Sequence, residues 1–269
     1  MTIMRLGRIA SPDGVAFVTV DDGPTHTPDG APNPDIRLRE IQDHPFGTPT
    51  YTGRSWSLPE VRVLAPILAP KVICVGKNYA DHAAEMGSEV PEDPVIFMKP
   101  STAIVGPEAP IVLPRTSTEV HYEGELAVVI GQVAKSVPAE RALSVVLGYT
   151  CANDVTARDH QRHDGQWTRG KSHDTFCPLG PWIETDLDPA DLTVITRRDG
   201  EVVQDGHTAA LIHTVPEIIA WVSEVMTLLP GDVILTGTPA GVGPIVDGQS
   251  VEVDIEGIGV LRNPVVRRS

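Results

Sequence analysis

Short apolar runs, closed repeatedly by glycine, proline or a polar turn, limit what this chain of 269 residues can fold into. Runs of that kind read as strands at Lys71–Gly76, Val95–Lys99, Val120–Gly131, Val145–Ala152, Leu192–Arg197, Val233–Thr236, Ser250–Ile255 and Gly259–Val265. Strands therefore outnumber helices. One strong helical pattern spans Val215–Leu229, where Ile218, Ile219, Val222, Val225, Met226 and Leu229 form a single apolar stripe. Thr214 with Glu217 makes a capping box before it, and Pro230-Gly231 stops it. A second, shorter segment, Asn78–Met86, reads as one or two helical turns ended by Gly87. The expected class is α+β.

Ten of the 25 prolines lie within residues 1–70, and the stretch Thr25–Pro34 reads as irregular, turn-rich chain in which a helix is not expected. That segment holds eight acidic and six basic side chains, a net charge of -2 out of the total of -15. The remainder carries 28 against 15, or -13. The shift near Pro66–Pro70 divides the chain into a small N-terminal domain, 1–70, and a larger domain, 71–269.

The acid surplus repels phosphate backbones, and with only 4% aromatic residues there is little to stack on bases, so nucleic acid is not an expected partner. No stretch approaches the roughly 18 apolar residues of a membrane helix, and the start Met1–Gly7 lacks the pattern of a signal peptide, which leads us to expect a cytoplasmic protein. Cys74, Cys151 and Cys177 are odd in number and widely spaced, which fits reduced, buried thiols.

Several short segments carry groups suited to chemistry. Within Val120–Ile130, Glu123 and Glu125 lie two residues apart on one strand face, about 6–7 Å apart at the backbone, so their carboxylates can converge on one cation or simply face solvent. A hard divalent cation would remove both their repulsion and the penalty of burying them. Asp154 follows an apolar run as a strand-end side chain or a helix N-cap. Arg158 and Gln161, three apart, share a helix face that could address an anion. His82 and Glu85 have the spacing at which a carboxylate holds one imidazole nitrogen and leaves the other as a base, although exposed His–Glu pairs are common on helices. Lys171 is one of only five lysines beside 16 arginines, a scarcity that compositional drift also explains. The loop Leu235–Gly243 lacks the glycine spacing of nucleotide-binding loops; its amides and the Thr238 hydroxyl could hold a carboxylate, or it could be a plain turn.

Taken in order, these segments resemble the fumarylacetoacetate hydrolase superfamily over about residues 70–265. The resemblance rests on Val75-Gly76-Lys77-Asn78-Tyr79-Ala80-Asp81-His82, Met98-Lys99-Pro100-Ser101, His121-Tyr122-Glu123-Gly124-Glu125-Leu126, Asn153-Asp154-Val155-Thr156-Ala157-Arg158-Asp159, Lys171-Ser172-His173-Asp174-Thr175-Phe176-Cys177-Pro178 and Leu235-Thr236-Gly237-Thr238-Pro239. It implies a mixed β-sandwich roll preceded by a small variable N-terminal β-rich domain, and a homodimer. It further implies one Mg²⁺ or Mn²⁺ per subunit on Glu123, Glu125 and Asp154, with Lys171 beside it, and Arg158, Gln161, Thr238, Tyr79 and Lys99 as substrate contacts. The segment bearing His82 and Glu85 would act as a lid whose base serves catalysis.

The implied substrate is a small anionic 2-oxo acid or its enol, or a hydroxy-dienoic acid. One cation can serve hydrolysis of an acylpyruvate, decarboxylation of an oxaloacetate-like acid or isomerisation of a hydroxy-dienoate such as 2-hydroxyhepta-2,4-diene-1,7-dioate. The expectation drawn from sequence is C–C bond hydrolysis, with isomerisation or decarboxylation as the alternative. A non-catalytic protein stabilised by a structural cation is the competing class, and the His82–Glu85 pair speaks against it.

Overall fold

A computed structural model describes residues 4–267 except 24, 26, 28–30, 86 and 88. The sequence readings that touch Met1–Ile3, part of Thr25–Pro34, and Met86 thus lie partly outside the described residues. The described residues form three sheets. The largest has 12 strands, and its main path runs Tyr51–Ser57, Arg37–Ile41, Gly14–Val20, Arg5–Ser11, Cys177–Glu184, Val146–Asn153, Gly124–Ile130, Val233–Leu235, Val72–Gly76, Val95–Lys99. A five-stranded sheet joins Glu201–His207, Thr193–Arg198, Ser250–Ile255, Gly259–Arg267 and Ile111–Leu113. A three-stranded sheet joins Thr156–Ala157, Val120–Tyr122 and Gly243–Pro244. The expected mixed, β-rich roll with few helices is what the chain forms.

Alternation explains why the large sheet is apolar on both faces. Along Gly124–Ile130, Leu126, Val128 and Ile130 enter one core, while Ala127 and Val129 enter the other. Ile73, Val75 and Ile234 follow the first set, and Val72, Cys74, Val233 and Leu235 the second. Helix Val215–Val225 and residues of the five-stranded sheet such as Val194, Val253 and Leu261 cover the first face. Leu6, Ile41, Ile67 and Ala69, from the first seventy residues, help cover the second. The N-terminal strands also extend the sheet itself, through Arg5 opposite Glu184 and Leu6 opposite Ile183, so the sheet runs on past the composition shift at Pro66–Pro70.

Two elements differ from their sequence reading. The helix ends at Val225, one turn before Leu229, because Met226 is extended (φ -142°, ψ 151°) and Leu228 pairs with Ala134 as a β-bridge. Consequently Val225 and Leu229 are exposed and do not belong to the buried stripe. Its start is as expected, since Glu217 Oε2 accepts from the Thr214 amide at 2.7 Å and the Thr214 hydroxyl at 2.8 Å. Thr214→Ala is expected to cost about 1 kcal/mol, read as a lowered urea midpoint at unchanged slope.

The second difference positions the site. The run Val120–Gly131 is not one strand: it breaks at Glu123 into Val120–Tyr122 and Gly124–Ile130, which belong to different sheets. At the break the Glu123 amide donates to Asn153 Oδ1 (2.9 Å) and the Gly124 amide to Gln204 Oε1 (3.0 Å), replacing ladder bonds by side-chain ones. Gly124 is required there, because a Cβ would meet Thr196 Oγ1 at 2.0 Å. All three cysteines are buried and free. No helix among the described residues is long and apolar enough to cross a membrane.

Candidate active site

One end of the large sheet gathers four chain segments. Gly124 pairs with Asn153, which brings the break at Glu123 against Asp154 just past the end of strand Val146–Asn153. The parallel strands Val233–Leu235 and Val72–Gly76 finish at the same end and deliver the loop from Thr236 onward and residues Gly76–Lys77. Between them lies a cavity of about 210 Å³, whose walls include Glu123, Glu125, Asp154, Lys171, Arg158 and His82. Drug-sized pockets run to about 300–1,000 Å³, so this one suits a small ligand.

The three acids converge. Glu123, Glu125 and Asp154 are each 4% exposed or less, and each offers an oxygen within 4.8 Å of the others. The kink at Glu123 and the strand end at Asp154 produce this convergence, rather than the alternation of a continuous strand. Asp154 acts as a strand-end group, and the helix that follows, Arg158–Asp164, is capped instead at Ala157.

Three buried cations face the acids unequally. Lys171 Nζ donates to Glu123 Oε2 (2.9 Å) and Asp154 Oδ2 (2.7 Å). Arg158 Nη2 pairs with Glu123 Oε1, while its Nη1 donates to Gln161 Oε1 at 2.8 Å. Burial raises the Glu123 carboxyl, but Arg158 and Lys171 outweigh it and hold that group well below the ordinary range. Burial lowers the Lys171 ammonium, and Asp154 with Glu123 more than reverses this. Glu125 has no ion pair among the described residues; its Oε2 accepts only the Gly237 amide, at 2.7 Å. Burial, then Asp154 and Glu123, push it well above the usual carboxylate range. A buried acid of this kind, next to two more hard oxygen donors, fits a divalent cation of the Mg²⁺ or Mn²⁺ type.

Helix Ala80–Glu85 places His82 at the cavity wall, 6% exposed. Its Nδ1 lies 3.3 Å from Glu85 Oε2, and both Glu85 oxygens accept the Gly241 amide at 3.2 Å. The loop Leu235–Gly243 therefore does hold carboxylates with its amides, but they are the protein's own: Glu125 at Gly237 and Glu85 at Gly241.

Among the expected substrate contacts, Arg158, Gln161 and Thr238 line the cavity. The Thr238 hydroxyl is already engaged, donating to Gly124 O (2.9 Å) and accepting from Gln204 Nε2 (2.8 Å). Two others lie elsewhere. Tyr79 is 4% exposed in the core beneath, where its apolar ring packs with the cluster around Val75 and Leu211. Lys99 is 1% exposed and donates to the carbonyls of Val155 (3.0 Å), Lys171 (2.6 Å) and Phe176 (2.8 Å), with Nζ also 2.6 Å from Asp154 Oδ1 in an ion-pair contact outside hydrogen-bond geometry. Its donors are spent on the framework.

Other participants escaped the sequence reading. Gln204, 1% exposed, bonds Gly124, Thr238 and Pro239 at once, and Thr156 Oγ1 donates to Glu123 Oε1 at 3.1 Å. Nothing local distinguishes this glutamine from an exposed one. Phe97 and Trp167 also line the cavity; a tryptophan among polar neighbours, Gly165-Gln166-Trp167-Thr168-Arg169, was a signal that could have been used.

Residues 71–266 match the family described as fumarylacetoacetate (FAA) hydrolase C-terminal, and residues 4–66 match that described as Rv2993c-like, N-terminal. The chain belongs to the fumarylacetoacetate hydrolase family. Protein Rv2993c of Mycobacterium tuberculosis is 62% identical over 268 residues, 98% of this chain and 99% of that protein. The structure of a 5-carboxymethyl-2-hydroxymuconate delta-isomerase from Mycobacterium smegmatis is similar at a TM-score of 0.91 and 60% identity, covering 98% of this chain and 100% of that one. A 2-hydroxyhepta-2,4-diene-1,7-dioate isomerase from Mycobacterium marinum matches at 0.91 and 60%, covering 99% of each chain. The buried triad Glu123, Glu125 and Asp154 is typical of the divalent-metal site of this family.

Proposed function

We propose that this fumarylacetoacetate hydrolase family enzyme relocates a proton on a small 2-oxo acid, its enol or a hydroxy-dienoic acid, as an isomerase or tautomerase, with Mg²⁺ or Mn²⁺ on Glu123, Glu125 and Asp154. The observation that carries the reading is the His82–Glu85 pair at the wall of the cavity that holds the three acids. Two relatives similar over nearly the whole chain are named isomerases, which favours proton relocation over the hydrolysis expected from sequence.

A divalent cation bound there supplies the positive charge against which the negative charge of an enolate develops. The chain's own residues do the rest. Glu85, ionised, requires Nδ1 of His82 to donate, which leaves Nε2 with the lone pair that takes a proton from one substrate carbon and returns it at another position. Glu85 is fixed in turn by the Gly241 amide, so the imidazole orientation is set before substrate arrives. Lys171 and Arg158 place cationic charge beside the acids and are assigned to the substrate carboxylate. With a net charge of -15 the long-range field does not attract an anion, and capture depends on these local groups.

Hydrolysis of an acylpyruvate is the second reading, because the same base can activate water. Product analysis by NMR with Mg²⁺ or Mn²⁺ on oxaloacetate, acetylpyruvate and 2-hydroxyhepta-2,4-diene-1,7-dioate separates them. His82→Ala is expected to slow proton relocation by about 10²–10⁴-fold while the cation still raises the melting temperature. Full turnover by that variant on every substrate the wild type accepts would sink the proposal.

A further inference from the structure

The cavity at the triad has a neighbour. On its outer side lies a second, larger cavity of about 730 Å³, bordered by Val95, Met98, Thr168 and Ser172. Phe97 and Trp167 are the two residues common to the walls of both. Their rings meet edge to face, with centroids 5.2 Å apart and planes at 74°, so together they form the partition between the two spaces. The partition stands close to the chemistry: Lys171 Nζ, which bonds Glu123 and Asp154, is 4.9 Å from the centre of the Phe97 ring.

Its two halves are held differently. Phe97 sits within strand Val95–Lys99, paired to Cys74, and packs against a buried core. Trp167 lies on the exposed turn between helices Arg158–Asp164 and Thr168–Lys171, a turn that passes through Gly165 at φ +68° and is bracketed by the exposed Arg169–Asp164 ion pair, Nε to Oδ2 2.7 Å. The indole fits over Gly76, where an added Cβ would come within 2.4 Å of the ring. A glycine at the end of a strand thus makes room for one particular side chain.

We propose that this aromatic partition sets the length of substrate the enzyme accepts, with Trp167 as its movable half. The inner cavity takes a short 2-oxo acid, and a longer one fits only if its far end passes the indole into the outer cavity. There the flanks of Val95 and Met98 are available to it. The assignment rests on the 2-oxo acid reading given above and narrows it to short members of that class.

The test is binding of two acids that differ in length, 2-oxoglutarate and 2-oxopimelate, to the full-length protein with saturating Mg²⁺, by calorimetry. Wild type is expected to prefer the shorter acid by about tenfold or more, the discrimination that packing against one or two methylenes provides. Trp167→Ala is expected to abolish that preference, the longer acid gaining affinity relative to the shorter; Trp167→Phe should keep most of it. Gly76→Ala, which displaces the indole without removing it, is expected to shift the ratio in the same direction and serves if Trp167→Ala does not fold. An unchanged ratio in both variants, or a wild type indifferent to length, would overturn the partition while leaving the functional reading intact. Failure of both acids to bind wild type would overturn both.

Discussion

Replacing Glu125 with Gln is expected to move two observables in opposite directions: the metal-free protein becomes more stable, and cation binding and turnover are lost. Glu125 is buried, keeps a single backbone donor, and lies within 4.8 Å of two more carboxylates. Lys171 and Arg158 are committed to Glu123 and Asp154, so the third charge is compensated only in part, by Lys171 at longer range and the Gly237 amide. Because its folded-state carboxyl holds its proton more tightly than in the unfolded chain, ionisation of Glu125 opposes folding once pH rises above the unfolded value, about 4.3. Gln keeps the acceptor for the Gly237 amide and gives the neighbouring acids a donor. In EDTA, the melting temperature of Glu125→Gln should exceed that of wild type by about 2–4 °C for each kcal/mol relieved, with the gap growing between pH 4 and pH 7. Added Mg²⁺ or Mn²⁺ should then raise wild type and leave the variant unmoved, while its turnover falls by at least about 10²–10³-fold. A variant less stable than wild type in EDTA would mean that Glu125 is compensated in a way its contacts do not reveal.

Lys99→Met should have the opposite character, a large loss of stability. Its ammonium joins three carbonyls, from Val155, Lys171 and Phe176, to Asp154, and so ties together the segments that carry Asp154 and Lys171. Met preserves the apolar stem but leaves those acceptors buried and unpaired. Removing one partner of such a group costs about 3–5 kcal/mol, which denaturant unfolding of the metal-free protein measures directly. A substrate-contact role would instead leave the unfolding curve in place and raise KM alone.

The acidic triad and the fold were legible because each is written locally: apolar runs of strand length, a Glu-x-Glu, and an Asp after a strand. Their convergence was read for the wrong reason. Alternation along one strand was expected to align Glu123 with Glu125, whereas the strand breaks between them and Asn153 and Gln204 stabilise the break. Those amides come from strands distant in sequence, and no spacing rule connects them. Lys99 and Tyr79 show the same limit. A residue inside a family motif is marked as close to the site, but whether it faces the ligand or the scaffold depends on packing from other segments. The helix that stops at Val225 was overruled likewise, by a bridge from Leu228 to Ala134 that only the folded chain can form.

A last consequence concerns precision. The amides of Gly237 and Gly241 each grip one carboxylate, Glu125 of the triad and Glu85 behind the imidazole. The proposed cation site and proton acceptor are thus referenced to a single stretch of main chain five residues long. A shift of that stretch would carry both groups the same way.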